Sequence, residues 1–214
     1  MKHFLLGVIA VAMLGCAPGA SDPFSVSPRD REGTAYFPQA VREAALRCGL
    51  FGVGARRELM SAHRAGWYTE HLVAAGEAPL FRSSGRSLRF TWLRTFHAPV
   101  VIRLDTGADG GVTMTATELS GHGGYEPGTV ARRIERSLSS QEVAGLTRTL
   151  EDTAVLEQAP GECRLGLDGA QWTIESVGPE GYRFVDRQSP GDGPVRAFGL
   201  HLIGLTGWIY DDLY

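Results

Sequence analysis

Apolar and polar residues alternate along several stretches in the middle of the chain, and this period of two is typical of half-buried β-strands. The alternation is clearest over residues 88–92, where every second residue is large and apolar. Residues 105–111 are rich in Asp and Gly, so we expect a hairpin turn there. The predicted strands in this part of the chain cover residues 88–93, 100–104, 112–119 and 130–138.

A second hairpin is predicted further along the chain. Residues 170–176 and 182–187 are rich in aromatic and β-branched residues, and Gly178-Pro179-Glu180-Gly181 between them has the composition of a turn. The pattern predicts four inward-facing side chains in this hairpin, namely Trp172, Ile174, Tyr182 and Phe184.

Two helices are predicted before the strands. Pro38 suits a first helical turn and Gly49 a position just after a helix end, which together predict a helix over 38–47. A second helix is expected over 55–75, with Gly76 as its stop. Gly66 inside this second segment disfavours helix.

Two more helices are predicted later in the chain. Ser139 and Glu142 have the spacing of a capping box, which predicts a helix running to about residue 152. The last helix is expected to start at Gly193-Pro194. Its apolar stripe consists of Val195, Phe198, Leu202, Leu205 and Ile209.

This order of elements predicts an α+β fold, because hairpins rather than strand–helix–strand alternation imply an antiparallel sheet. We expect a sheet of about five or six strands, packed by helices and preceded by an N-terminal helical pair. A single domain is predicted over 35–214, with a helical part at 35–80 and a sheet part at 86–214. Residues 17–34 have the composition of a flexible tether.

Residues 1–16 have the pattern of a lipoprotein signal peptide. A short basic segment precedes the apolar run 4–14, which is too short to span a bilayer, since that needs about 20 residues. Gly15-Cys16 resembles a lipobox, although the two residues before Gly15 depart from the usual pattern. The resemblance implies that Cys16 is acylated and anchors the chain, and Ala17 after it favours the outer membrane. The alternative is ordinary cleavage near Cys16, which yields a soluble periplasmic protein.

Composition excludes several classes of function. The net charge of −3 provides no basic field for nucleic acid. Lys2 is the only lysine and lies in the signal segment, so the mature chain has none for Schiff-base, Ser-Lys or P-loop chemistry. The sequence predicts no cofactor.

Two cysteines remain if Cys16 carries lipid. Cys48 and Cys163 form a candidate disulfide in an oxidising periplasm. Two separate buried thiols are the alternative, because free cysteines pack as small hydrophobic residues.

Four segments resemble a set of uncharacterised exported proteins of Gram-negative bacteria. They occur within a little over half of the chain, and the resemblance implies an exported, coherent domain without assigning any catalytic role. The segments are Phe90-Thr91-Trp92-Leu93-Arg94-Thr95-Phe96-His97, Gly123-Gly124-Tyr125-Glu126-Pro127-Gly128, Asp168-Gly169-Ala170-Gln171-Trp172 and Asp186-Arg187-Gln188-Ser189-Pro190.

Gly121-His122-Gly123-Gly124-Tyr125 allows two interpretations. A His-Gly-Gly run after a strand forms an oxyanion hole in α/β-hydrolases, but that reading needs a Gly-x-Ser-x-Gly elbow, and the sequence has none. The other interpretation, which we favour, is a Gly-rich turn.

Histidines are the other weak catalytic candidates. A hydrolase would use His97 or His122 with acidic partners. His63 and His71 are eight residues apart and so are separated by about 12 Å along a helix. We therefore expect no metal site, since no ligand spacing supports one.

Two further features have competing interpretations. Arg183, Asp186 and Arg187 precede the last helix and are candidates for anion binding at its N-terminus. Capping of that helix by Asp192 or Ser189 is the alternative. The Trp67-Tyr68 pair and nearby His71 are expected in the core, with a partner groove as the alternative.

These observations favour a membrane-anchored envelope lipoprotein with a non-catalytic binding or structural role. Its expected contacts are the membrane, through the N-terminal lipid, and an envelope protein partner. The alternatives are the hydrolase and the anion-binding module.

Overall fold

The computed structural model describes residues 35–50, 53–163, 166 and 168–214. The strands are β1 (Ala45–Leu50), β2 (Val53–Glu58), β3 (Arg86–Arg94), β4 (Val100–Thr106), β5 (Val112–Leu119), β6 (Val130–Ser137), β7 (Ala170–Gly178) and β8 (Gly181–Gln188). The helices are α1 (Gln39–Glu43), α2 (Ala62–Ala74), α3 (Ser140–Thr153) and α4 (Pro194–Leu205). No helix among these residues is long and apolar enough to cross a membrane.

A six-stranded antiparallel sheet forms the centre of the molecule, with the strand order β6-β5-β4-β3-β7-β8. The predicted α+β fold is therefore confirmed. β3 and β7 are neighbours although they are far apart in sequence, so the second hairpin joins the first at β3. All six predicted strands of this sheet form.

The N-terminal region differs from the prediction. α1 ends at Glu43, and residues predicted as helix form an antiparallel hairpin of β1 and β2. The sequence between the two predicted helices contains Gly49, Gly52 and Gly54, and glycine costs about 1 kcal/mol in a helix interior. α2 begins only at Ala62, where the Ser61 hydroxyl accepts the backbone N–H of Arg64.

Both faces of the sheet are buried, so the molecule has three layers. α3 and α4 cover one face, where Trp172 and Ile174 lie. α1, α2 and the residues around them cover the other, where Tyr182 and Phe184 lie. The four side chains predicted to face one core are all buried, but they belong to two opposite cores.

The later helices follow their sequence signals. The Ser139–Glu142 capping box is present, and α3 extends to Thr153. α4 begins at Pro194, as predicted. Ile209, assigned to its apolar stripe, lies beyond the helix and is 89% exposed. The stripe ends there because the helix stops at Leu205.

Cys48 of β1 and Cys163, in the segment before β7, lie at disulfide distance, with 5.3 Å between their Cα atoms. This pairing agrees with the predicted bridge. It connects the N-terminal layer to the segment that leads into the central sheet.

Candidate functional site

A groove of about 630 Å³ lies where α2 crosses one end of the sheet. Its walls come from α2, the end of β3, the Gly-rich turn after β5 and the segment before β7. Gln188 at the end of β8 completes it. Concave sites with a few convergent polar groups are the usual places for ligands, which makes this groove the candidate functional site.

The Gly-rich turn is fixed against the end of β3 by its own backbone. The N–H of Gly123 donates to the His97 carbonyl at 3.0 Å, and that of Gly124 donates to the Thr95 carbonyl at 3.1 Å. A Cβ on Gly123 would lie 2.5 Å from backbone atoms of Arg94, so only glycine allows this approach. The two amides are not available for an oxyanion, and the interpretation as a Gly-rich turn is correct.

A buried carboxylate anchors α2 to the sheet beside the groove. The Asp186 Oδ2 atom accepts the Tyr68 hydroxyl at 3.0 Å and the Arg64 Nη1 atom at 3.1 Å. The Gln171 amide donates to its Oδ1 atom. Burial raises the pKa of Asp186, against the opposing effects of Arg64 and of the hydrogen bonds from Gln171 and Tyr68. This network fixes the wall that α2 contributes.

Trp67 and Gly66 are two of the α2 residues that line the groove. The Trp67 indole N–H donates to the Gly123 carbonyl at 2.7 Å, which holds the ring in place between helix and turn. Gly66 lines the groove, and a Cβ there would meet nothing within 4 Å. Tyr68 and His71 are buried as predicted, whereas half-buried Trp67 lies at the groove, as in the alternative.

Two exposed aromatic rings lie at the mouth of the groove. Tyr125 is 56% exposed and lines it, and Phe96 beside it is 52% exposed. Their ring centroids are 6.2 Å apart. Exposed aromatic clusters of this kind mark binding surfaces.

The polar lining combines amides and carboxylates. Gln171 and Gln188 are direct partners across β7 and β8, which places both side chains at the same end of the sheet. Asp168 is exposed in the segment before β7. Glu70 and His63 are exposed on α2. The described lining residues include no serine or cysteine.

The two catalytic candidates lie near each other but outside this groove. The His97 carbonyl accepts from the turn that carries His122, so their backbones are adjacent. The His97 ring contacts the Tyr214 hydroxyl through Nδ1 at 2.6 Å and Asp212 through Nε2 at 3.5 Å. His122 is exposed. Both ring nitrogens of His97 are therefore engaged within the protein.

The residues proposed for anion binding do not form one site. Asp186 faces α2, whereas Arg183 lines a separate apolar cavity of about 400 Å³ beside α3. Arg187 donates to the carbonyls of Asp186 and Ala159. Strand alternation places Asp186 on the opposite face of the sheet from Arg183 and Arg187, because successive residues of a strand point to opposite faces.

The capping prediction for α4 is wrong. Its N-cap is Gly193, and no side chain caps it. The Ser189 hydroxyl instead accepts the backbone N–H of Ala170 at 3.0 Å and so fixes the start of β7. Ser189 lies too far before the helix start to serve as its cap.

Two site predictions concern metal and lipid. No group of three or more His, Cys, Asp or Glu side chains suited to a metal ion occurs in the part of the chain that the structure describes. Cys16, the predicted lipidation site, lies outside the described residues.

Sequence reasoning from chemical motifs missed the amides of the groove, since glutamine has no diagnostic spacing. A signal did exist in the four segments quoted above. Each contributes to the lining, through Thr95, Tyr125, Gln171 and Gln188 respectively. No known family model matches the chain, and a search of curated proteins finds no relative.

Proposed function

We propose that the chain is an exported lipoprotein, held in the cell envelope through Cys16, whose domain binds an envelope component in the groove without transforming it. The anchor rests on the basic, apolar and Gly15-Cys16 pattern of the first residues. The binding role rests on the groove. Four separate segments of the chain meet there, and two exposed aromatic rings lie at its mouth.

The observation that carries the proposal is the groove itself, where α2, the end of β3, the Gly-rich turn and the segment before β7 converge, with Gly66 on the wall of α2. A glycine inside a helix costs about 0.5–1 kcal/mol relative to alanine. Gly66 lies on the wall that α2 contributes, and a Cβ there would meet nothing within 4 Å, so this wall has room for a ligand beside Trp67.

Site-specific photo-crosslinking in intact cells tests the binding role. A benzophenone amino acid in place of Gly66 should form a discrete adduct after illumination, because its ring would extend into the groove. Gly204 of α4 is the matched control, since a side chain there also meets nothing within 4 Å. An adduct at Gly66 that is missing at Gly204 supports binding in the groove. Equal labelling at the two positions contradicts it.

The same cells test the anchor. When they are fed an alkyne fatty acid, the unaltered protein should carry the label and stay with the membranes. The Cys16→Ser variant should lose the label. A labelled variant, or an unlabelled wild type that fractionates with the soluble periplasm, would rule out this anchor.

A further inference from the structure

We infer that the ligand of the groove is a carbohydrate chain, bound through its pyranose rings. This inference rests on the proposed binding function and gives it a chemical class. A sugar ring offers an apolar C–H face and a rim of neutral hydroxyl groups. The described lining residues offer aromatic surface and amide groups, and the one arginine among them, Arg64, is paired with Asp186.

The deepest polar group of the groove is an amide. Gln171 is only 7% exposed, and it gives one N–H to Asp186. A primary amide has a carbonyl oxygen and a second N–H in addition. Gln188, its partner across the strands, adds a second amide at the same end of the sheet. Groups that both donate and accept complement hydroxyls, which do the same.

The aromatic rings supply the apolar half of the site. Trp67 is held rigidly by its bond to the Gly123 carbonyl, so little conformational entropy is lost when a ligand packs on it. Tyr125 also lines the groove, and the exposed Phe96 ring lies 6.2 Å from the Tyr125 ring. Since the groove is open to solvent there, a chain of several sugar units can extend beyond it.

Charge argues against an anionic ligand. Arg64 is paired with Asp186 at 3.1 Å. Glu70 and Asp168 bring negative charge to the walls. These two carboxylates are exposed and screened by solvent, so they also hold a cation weakly. Neutral hydroxyl groups are not repelled by these carboxylates, and they can donate hydrogen bonds to them.

The test uses the full-length protein in lipid nanodiscs and two soluble probes. Tetra-N-acetylchitotetraose and cellotetraose share the β-1,4-linked pyranose backbone but differ in the N-acetyl group, so the pair distinguishes two sources of the same chemistry. Saturation-transfer NMR and calorimetry should detect binding of at least one probe. Tyr125→Ala should weaken it about tenfold, as expected for truncation of an aromatic anchor.

Gly66→Leu should abolish binding by filling the groove, while Gly204→Leu, an equally unobstructed position on α4, should leave it unchanged. Binding of neither probe, or binding that survives Gly66→Leu, overturns the inference. If the Gly66 photo-adduct forms while neither probe binds, the groove holds a ligand of another class. If neither is seen, the binding function itself is wrong.

Discussion

Arg89 is a charged side chain in the middle of the sheet with no contact with solvent. Its guanidinium lies 2.7 Å from the Glu175 carboxylate and 3.5 Å from that of Glu77. The Tyr182 hydroxyl donates to Glu175 at 2.6 Å. Burial, together with that carboxylate, raises the pKa of Tyr182 well above its usual value. The sheet face toward α2 thus contains paired charges among its apolar residues.

Removing one partner of this group should be costly. We expect Glu175→Ala to lower the free energy of unfolding by about 3–5 kcal/mol, because a fully buried guanidinium loses its nearest counter-charge. Glu180→Ala, which breaks the exposed pair with Arg86, should cost less than about 1 kcal/mol. Urea unfolding of both variants measures the difference. If the two variants lose similar amounts of unfolding free energy, burial does not make the Arg89–Glu175 pair more important than the exposed one.

At the level of the element, α3 shows how much of a helix start is encoded locally. The Ser139 hydroxyl accepts the Glu142 N–H, and the Glu142 carboxylate accepts the Ser139 N–H at 2.7 Å. Arg136 from the end of β6 then donates to the same carboxylate at 2.6 Å. The capping box was readable in the sequence, whereas the arginine contact was not.

This arrangement predicts an unusual titration. The hydrogen bond from Arg136 and those from Ser139 lower the pKa of Glu142 to about 2. Because the folded value lies below the unfolded one, ionised Glu142 stabilises the fold above about pH 4.5, and this contribution is lost as the pH falls toward 2. NMR titration of the carboxyl carbon should show it. Arg136→Ala should raise the titration midpoint of Glu142. A midpoint near 4.5 in the wild type would contradict the hydrogen bonds assigned to Glu142 from Arg136 and Ser139.

At the level of the whole molecule, the layers depend on connections distant in sequence. Cys48 and Cys163 are 115 residues apart, and their bridge ties β1 to the segment before β7. The end of the chain makes a second connection. The indole N–H groups of Trp92 and Trp172 both donate to the Tyr214 backbone oxygen, at 2.9 and 3.0 Å.

Loss of the disulfide should destabilise the entire domain. Closing a loop of this length contributes about 4–5 kcal/mol by restricting the unfolded chain. We expect the Cys48→Ala/Cys163→Ala double variant to unfold at a lower guanidinium concentration than the oxidised wild type. Reductant should lower the unfolding midpoint of the wild type toward that of the double variant, and it should leave the midpoint of the variant unchanged. If reductant leaves the unfolding midpoint of the wild type unchanged, even when it is added to the unfolded protein, the bridge is absent.

The strands and later helices were predictable because their signals are local. Alternation over residues 88–92 identified β3, and Ser139 with Glu142 identified the start of α3. The hairpin of β1 and β2 was missed, since the pairing of its strands and the bond from Cys48 are not visible as periodicity. The groove was missed because its lining runs from Ala62 to Gln188, and periodicity does not show contacts between residues so far apart in sequence.

The sequence by itself determined the α+β class and the positions along the chain of the six strands of the central sheet, which follow from short-range pattern and composition. The bridge between Cys48 and Cys163 and the export signal were hypotheses at that level. Only the tertiary structure decided which face each strand residue occupies and that both faces are buried. It also brought Gln171, Gln188, Trp67 and Tyr125 to one groove. The physical reason is that strand register and the packing of α2 are set by long-range contacts, in which each residue contributes a small part of the free energy.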